Sequence, residues 1–145
     1  MPRETTLDGI KKAAFLLFPS ACYEGMPLTI VEAFACGVPV IASRLGTAAE
    51  MVSQGRTGLL FDAGDPADLA RQVEWARCHQ GEMIVMGRSA REEFEQKYTA
   101  HRNLDLMLRI YDDAIAASWG RRTSSAQASW RKATGGADSI GPVPR

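Results

Sequence analysis

Residues 13–42, AAFLLFPSACYEGMPLTIVEAFACGVPVIA, decide how the chain folds. An apolar run, Ala13 to Phe18, is ended by Pro19 and has the length of a strand buried on both faces. A polar loop follows, from Pro19 to Met26. Pro27 suits the first position of a helix, where its missing N–H costs nothing, and Gly37 is a natural stop for a helix reaching about Cys36. Val38 to Ala42 is a second apolar strand, with Pro39 tolerated near its start. Strand, helix and strand over this distance make a βαβ unit, which predicts parallel strands joined by a right-handed crossover.

The pattern repeats further along. SRLGTAAEMVSQGRTG predicts a loop, a short helix around Ala48 to Ser53 and a turn at Gly55, and Thr57 to Phe61 is a third short strand. Asp65 is placed to cap a helix that starts at Pro66 and runs to about His79, with Leu69, Val73 and Ala76 on one face. Gly81 is expected to break it. A helix over roughly Glu82 to Lys97 carries Met83, Gly87, Ala90 and Phe94 at helical spacing. Thr99 caps a last helix to about Ala117, whose stripe Leu104, Leu108, Tyr111 and Ile115 is expected to pack on a core. Met1 to Lys12 is polar and carries no assignment. Residues 118–145, rich in Ser, Ala, Gly and Arg, read as a disordered polar tail. In that tail Arg121, Arg122, Arg131 and Lys132 flank Trp130, a composition open to weak contact with phosphate or anionic lipid. The fold class is therefore α/β, a Rossmann-like parallel sheet with flanking helices over residues 1–117.

At 145 residues the chain has the length of one domain, and its 46% hydrophobic content is enough for a core. A formal net charge of zero gives no reason to expect nucleic acid as a partner. The three cysteines, Cys22, Cys36 and Cys78, form no C-x-x-C pair, so neither a disulfide framework nor a zinc site is expected, and a reducing, cytoplasmic setting fits. KKAAFLLFPSAC looks like a lipoprotein signal, but its apolar run is too short and Glu4 and Asp8 precede it. No stretch is long enough to be a transmembrane segment.

The loop and the helix start have usable chemistry. In parallel sheets ligands bind beyond the carboxyl ends of the strands, which is where this loop begins. The first helical turn offers N–H groups of Leu28, Thr29 and Ile30 at the positive end of the helix dipole, an arrangement suited to phosphate. Gly25 lets a ligand come close to the backbone. Glu32 lies at i+4 from Leu28 and i+3 from Thr29, and side chains lean toward the helix start. A carboxylate only accepts hydrogen bonds, so hydroxyls rather than phosphate are its natural partners. Glu24, on the other side of the helix start, could accept from a second set of hydroxyls. A plainer reading also stands: Glu32 emerges at the surface or pairs with a base such as Arg44, and Glu24 complements the helix dipole.

FPSACYEGMPLTIVEAFACGVPVIASRLGTAAEMVSQGRTGLLFDAGDPADLA resembles the C-terminal half of the family 4 retaining glycosyltransferases, which have the GT-B fold. The resemblance rests on an ordered set: the pair Glu24 and Glu32 separated by seven residues, the PS before it, EAFACGVPVIAS, Gly46 to Glu50, TGLLF and GDP-x-x-LA. It covers about Asp8 to Ile115. It implies a nucleotide-diphosphate sugar as donor, with Glu24 contacting the transferred sugar and acting as the catalytic candidate. Gly25, Met26, Pro27, Leu28 and Thr29 would hold the sugar and distal phosphate through the backbone, and Glu32 would bind the ribose hydroxyls. The implied reaction transfers a hexose from a UDP-, GDP- or ADP-sugar to an acceptor hydroxyl with retention, in surface polysaccharide or glycolipid assembly. No cofactor or metal is implied. Cys22 stands where many members have an aromatic residue.

The same resemblance places residue 1 about halfway through the C-terminal domain. The acceptor-binding N-terminal domain, and the arginine and lysine that hold the diphosphate, have no counterpart in this sequence. A central strand would then be left with an open apolar edge. The expectations that follow are low stability, self-association or pairing with a separately encoded N-terminal half, and little or no activity of the chain alone. Association with the inner face of the membrane is compatible with the tail. Two other outcomes fit the same residues: a non-catalytic nucleotide-sugar binding or regulatory module, and a truncated remnant without function.

Overall fold

A computed structural model describes residues 3–133, with side chains described over residues 5–117. Three parallel strands, β1 (Leu16–Phe18), β2 (Val40–Ser43) and β3 (Gly58–Phe61), lie side by side in that order. Leu16 pairs with Val40, and Val40 with Gly58. The helices are α1 (Arg3–Lys12), α2 (Leu28–Ala35), α3 (Gly46–Met51), α4 (Pro66–Cys78), α5 (Gln80–Lys97) and α6 (Ala100–Ala133). Residues up to Arg102 form one compact unit, and Asn103 begins a second.

Strand alternation sorts the core into two layers. Val40, Ala42 and Leu60 face a cluster with Ile30, Ala33 and Phe34 of α2 and Ala48 and Met51 of α3. Ile41, Leu59 and Phe61 face the other side, against Ala76 of α4 and Met83 and Met86 of α5. A parallel sheet covered by helices on both faces is the arrangement that apolar strands without polar alternation require. Helix α5 serves both layers: Met83 and Met86 pack in the second, while Ala90 and Phe94 pack in the first. The C-terminal half of α5 is also held by charge. Its buried Glu93 accepts hydrogen bonds from Arg56 and Lys97, each at 2.5 Å, and Arg56 also reaches Ser53 Oγ at 3.3 Å. The loop before β3 is thereby tied to α5. Burial alone would raise the Glu93 carboxyl, but hydrogen bonds and charge from Lys97 and Arg56 outweigh it and hold the group below its ordinary value.

Several expectations shift. The polar N-terminal stretch is a helix, α1, whose Ile10 enters the core. Pro27 is the residue just before α2 rather than its first turn, and Gly37 sits at φ +70, the left-handed conformation that ends a helix. Gly81 does not break a helix. His79 ends α4, with its ring stacked on Trp75 at 4.2 Å, and α5 begins at Gln80, so Gly81 falls in a first turn where no intrahelical N–H bond is needed. Asp65 caps α4 as expected, accepting from the N–H groups of Ala67 and Asp68 at 2.8 and 3.0 Å. Thr99 Oγ1 accepts from Arg102 N–H at 3.3 Å.

Helix α6 continues to Ala133, past the expected end at Ala117. Residues 118–133 are thus helical where a disordered tail was expected. Residues 134–145 of that expected tail lie outside the described residues. The stripe Leu104, Leu108, Tyr111 and Ile115 is exposed, not packed on a core. Helical spacing sets which residues share a face but not whether anything covers it.

Candidate functional site

The loop leaving β1 is tied down from the carboxyl ends of its neighbours. Ser43, the last residue of β2 and fully buried, donates from Oγ to the Ser20 carbonyl at 2.7 Å. Ser20 Oγ in turn donates to Glu24 Oε1 at 2.9 Å. Thr47, in the first turn of α3, donates from Oγ1 to the Glu24 carbonyl, also at 2.9 Å. Beside it Gly46 adopts φ +51 and lies against the ring of Tyr23, where an added Cβ would come within 2.9 Å of Cδ1. Glu24 is exposed but held at both its backbone and its carboxylate.

The entry to α2 leaves backbone donors open. Pro27 is buried, with φ −75 and ψ 93, and no side chain caps the helix. Ile30 N–H is not free as expected: it turns back to the Pro27 carbonyl at 3.0 Å, because the first turn closes tightly. Among the described residues nothing accepts from the N–H groups of Leu28 and Thr29. Those two donors therefore keep the anion-binding capacity of a helix start. Gly25, Met26, Leu28 and Thr29 are all exposed around it. Glu32 is half-buried one turn further along α2 and takes part in an interaction of its own. Arg44, the alternative partner considered for it, pairs with Asp62 across the ends of β2 and β3 at 3.4 Å.

The structure thus brings Glu24, Gly25, Met26, Pro27, Leu28 and Thr29 together at the carboxyl end of the sheet, with Glu32 on the helix that follows. Reading the sequence missed Ser20, Ser43 and Thr47. Ser20 entered only as part of the PS pair, without a role, and the contacts of Ser43 and Thr47 span 23 residues, which spacing cannot reveal. Among the described residues no three or more His, Cys, Asp or Glu side chains gather as metal ligands. A separate cavity of about 760 Å³ opens at the amino ends of the strands, between Phe15, Pro39, Met83 and Ile84, and includes none of these residues.

Fold and site together define an α/β unit with an open helix start at the carboxyl edge of a parallel sheet. Its family follows from sequence: the profile of "Glycosyl transferases group 1" matches residues 4–79, and the chain belongs to that family. It is 32% identical over 121 residues to D-inositol 3-phosphate glycosyltransferase of Gordonia bronchialis, a match covering 83% of this chain and 26% of that protein. Among solved structures it is similar to sucrose-phosphate synthase from Thermosynechococcus elongatus, with TM-score 0.67 and 30% identity over 72% of this chain and 26% of that one. It also shares the fold of Anabaena HepE in complex with UDP, with TM-score 0.66 and 23% identity over 71% of this chain and 29% of that one. The chain spans about a quarter of the length of the curated relatives it matches. No helix among the described residues is long and apolar enough to cross a membrane.

Proposed function

We propose that residues 1–117 are the distal half of the nucleotide-sugar domain of a retaining glycosyltransferase. The observation that carries this reading is the continuous path from the held Glu24, through Gly25 and Met26, to the open N–H groups of Leu28 and Thr29, with Glu32 one turn on. A nucleotide-diphosphate hexose has the matching order of chemistry. Its sugar hydroxyls meet Glu24, its distal phosphate meets the amides at the start of α2, and its ribose hydroxyls meet Glu32. In the transfer, the bond from C1 of the hexose to the diphosphate oxygen breaks and its electron pair leaves with the diphosphate. The acceptor oxygen bonds to C1 on the same face, and the acceptor's proton ends on the departing nucleoside diphosphate. Oriented amides stabilise the charge that develops on that leaving group, so the step needs no metal ion in this reading. The complex of a protein of the same fold with UDP supports a nucleotide as ligand.

In this reading residues 1–117 supply part of the site, and an N-terminal half supplies the remaining donor and acceptor contacts. The experiment is a panel of UDP-, GDP- and ADP-hexoses incubated with the purified chain. Binding without turnover, lost in Glu32→Ala, is the expected result. Efficient transfer or donor hydrolysis by the chain alone would overturn the need for a partner. A second reading is a non-catalytic nucleotide-sugar binding module, for which the open start of α2 and Glu32 would suffice. Recovery of transfer on adding an N-terminal half decides between the two.

A further inference from the structure

Glu24 differs from an ordinary exposed loop carboxylate in having two separate hydroxyl tethers. The geometry points to Ser20 and Thr47 as positioning residues that set Glu24 for the sugar of the donor, an inference that rests on the donor-binding reading above. Ser20 has one proton to give. Its Oγ lies 2.9 Å from Glu24 Oε1 and 3.2 Å from the Cys22 carbonyl, and the shorter, charge-assisted bond is the stronger. Ser20 is itself fixed, since the buried Ser43 holds its carbonyl at 2.7 Å. One oxygen of Glu24 is thus committed internally, and among the described groups none donates to Oε2. That oxygen is left to accept from a ligand, while the Ser20 bond restrains the carboxylate.

Thr47 acts on the backbone. Its hydroxyl bond to the Glu24 carbonyl ties the loop after β1 to the start of α3, and Tyr23 lying on Gly46 closes the same contact from the neighbouring residue. A preorganised acceptor binds hydroxyls with less ordering cost than a mobile one. The tethers meet at Glu24 and its own loop, whereas in the donor-binding reading the diphosphate is received at Leu28 and Thr29. Their contribution should therefore fall on the sugar and not on the nucleotide.

The test uses the full chain with Ser20→Ala, Thr47→Val and Thr47→Ser. Two readouts are taken: amide hydrogen exchange at Tyr23 to Gly25 without ligand, and the affinity ratio of UDP-glucose to UDP (or the GDP or ADP pair that binds). Ser20→Ala and Thr47→Val are expected to speed exchange and lower the ratio about two- to tenfold, the size of one lost hydrogen bond, with free-diphosphate affinity unchanged. Thr47→Ser, which keeps the hydroxyl, should restore both. Unchanged exchange, or equal loss of sugar nucleotide and free diphosphate, overturns the inference. If the chain binds neither ligand the donor reading fails, while the exchange measurement still decides whether the tethers hold Glu24.

Discussion

Strands β1 and β3 are both edges of the same sheet, yet they are finished differently. Every residue of β3 is buried, while Leu17 in the middle of β1 is 44% exposed. The difference lies in what meets the outer side. At β3, Gln54 Oε1 accepts the Leu60 N–H at 2.6 Å, Gly55 N–H reaches the Gly58 carbonyl at 2.8 Å, and Asp68 accepts from Asp62 N–H at 2.7 Å just beyond the strand. At β1, Leu16 donates to the Pro39 carbonyl of the neighbouring chain segment, so by alternation Leu17 turns its backbone groups outward. Two apolar strands of similar composition thus become a closed edge and an open one. At β3 closure is made by the Gln54 side chain and the Gly55 backbone of the preceding loop and by Asp68 of α4, not by the strand itself.

A matched pair of substitutions breaks this comparison most severely. Leu59→Lys puts a charge into the second core layer and should cost more than about 3 kcal/mol, enough to prevent folding. Leu17→Lys, on the same face one strand over from Ile41, should change stability by less than about 0.5 kcal/mol and reduce self-association. Denaturant melts and sedimentation of the two variants make the check. Equal destabilisation would mean that β1 is covered.

Glu93→Gln gives a smaller effect, about 2 kcal/mol, because its partners Arg56 and Lys97 are half-exposed and partly solvated. The pH dependence has a defined sign. The folded-state carboxyl lies below its ordinary 4.5, so its contribution is full above that value and lost as pH falls through the lower one. Asp68, lowered chiefly by the Asp62 N–H bond, acts in the same direction below its ordinary 3.8. Wild-type stability should therefore fall with acid below about pH 4.5, and Glu93→Gln should flatten, without abolishing, that slope. A slope equal in both proteins contradicts the assignment.

Gln54→Ala sharpens the comparison at the least cost, about 1 kcal/mol, by leaving the Leu60 N–H unpaired. Faster amide exchange confined to Leu60 and its neighbours is the expected signature.

Much of the fold was legible because its signals are local. The apolar runs around Leu16, Val40 and Leu59, the stop at Gly37 and the Asp65 cap each act within a few residues. Helix α1 was not, since among its described side chains only Ile10 reaches the core and tertiary contact decides it. The open or closed state of an edge was not legible in β1 and β3 themselves, because Gln54 and Asp68 do the closing. At the candidate site, Glu24 and Glu32 stand out as carboxylates around one helix start. Their supports Ser43 and Thr47 belong to the next βα corner, and only folding brings them to Glu24 and Ser20.

In the proposed function the carboxyl end of the sheet, not the cavity at its amino end, receives a nucleotide sugar. Backbone amide shifts of the full chain titrated with UDP-, GDP- and ADP-glucose test it most directly. Saturable changes centred on Glu24 to Thr29 and Glu32, weakened by Glu32→Ala, are the expected result. Changes centred on Phe15, Met83 and Ile84, with Gly25 to Thr29 unmoved, would contradict it.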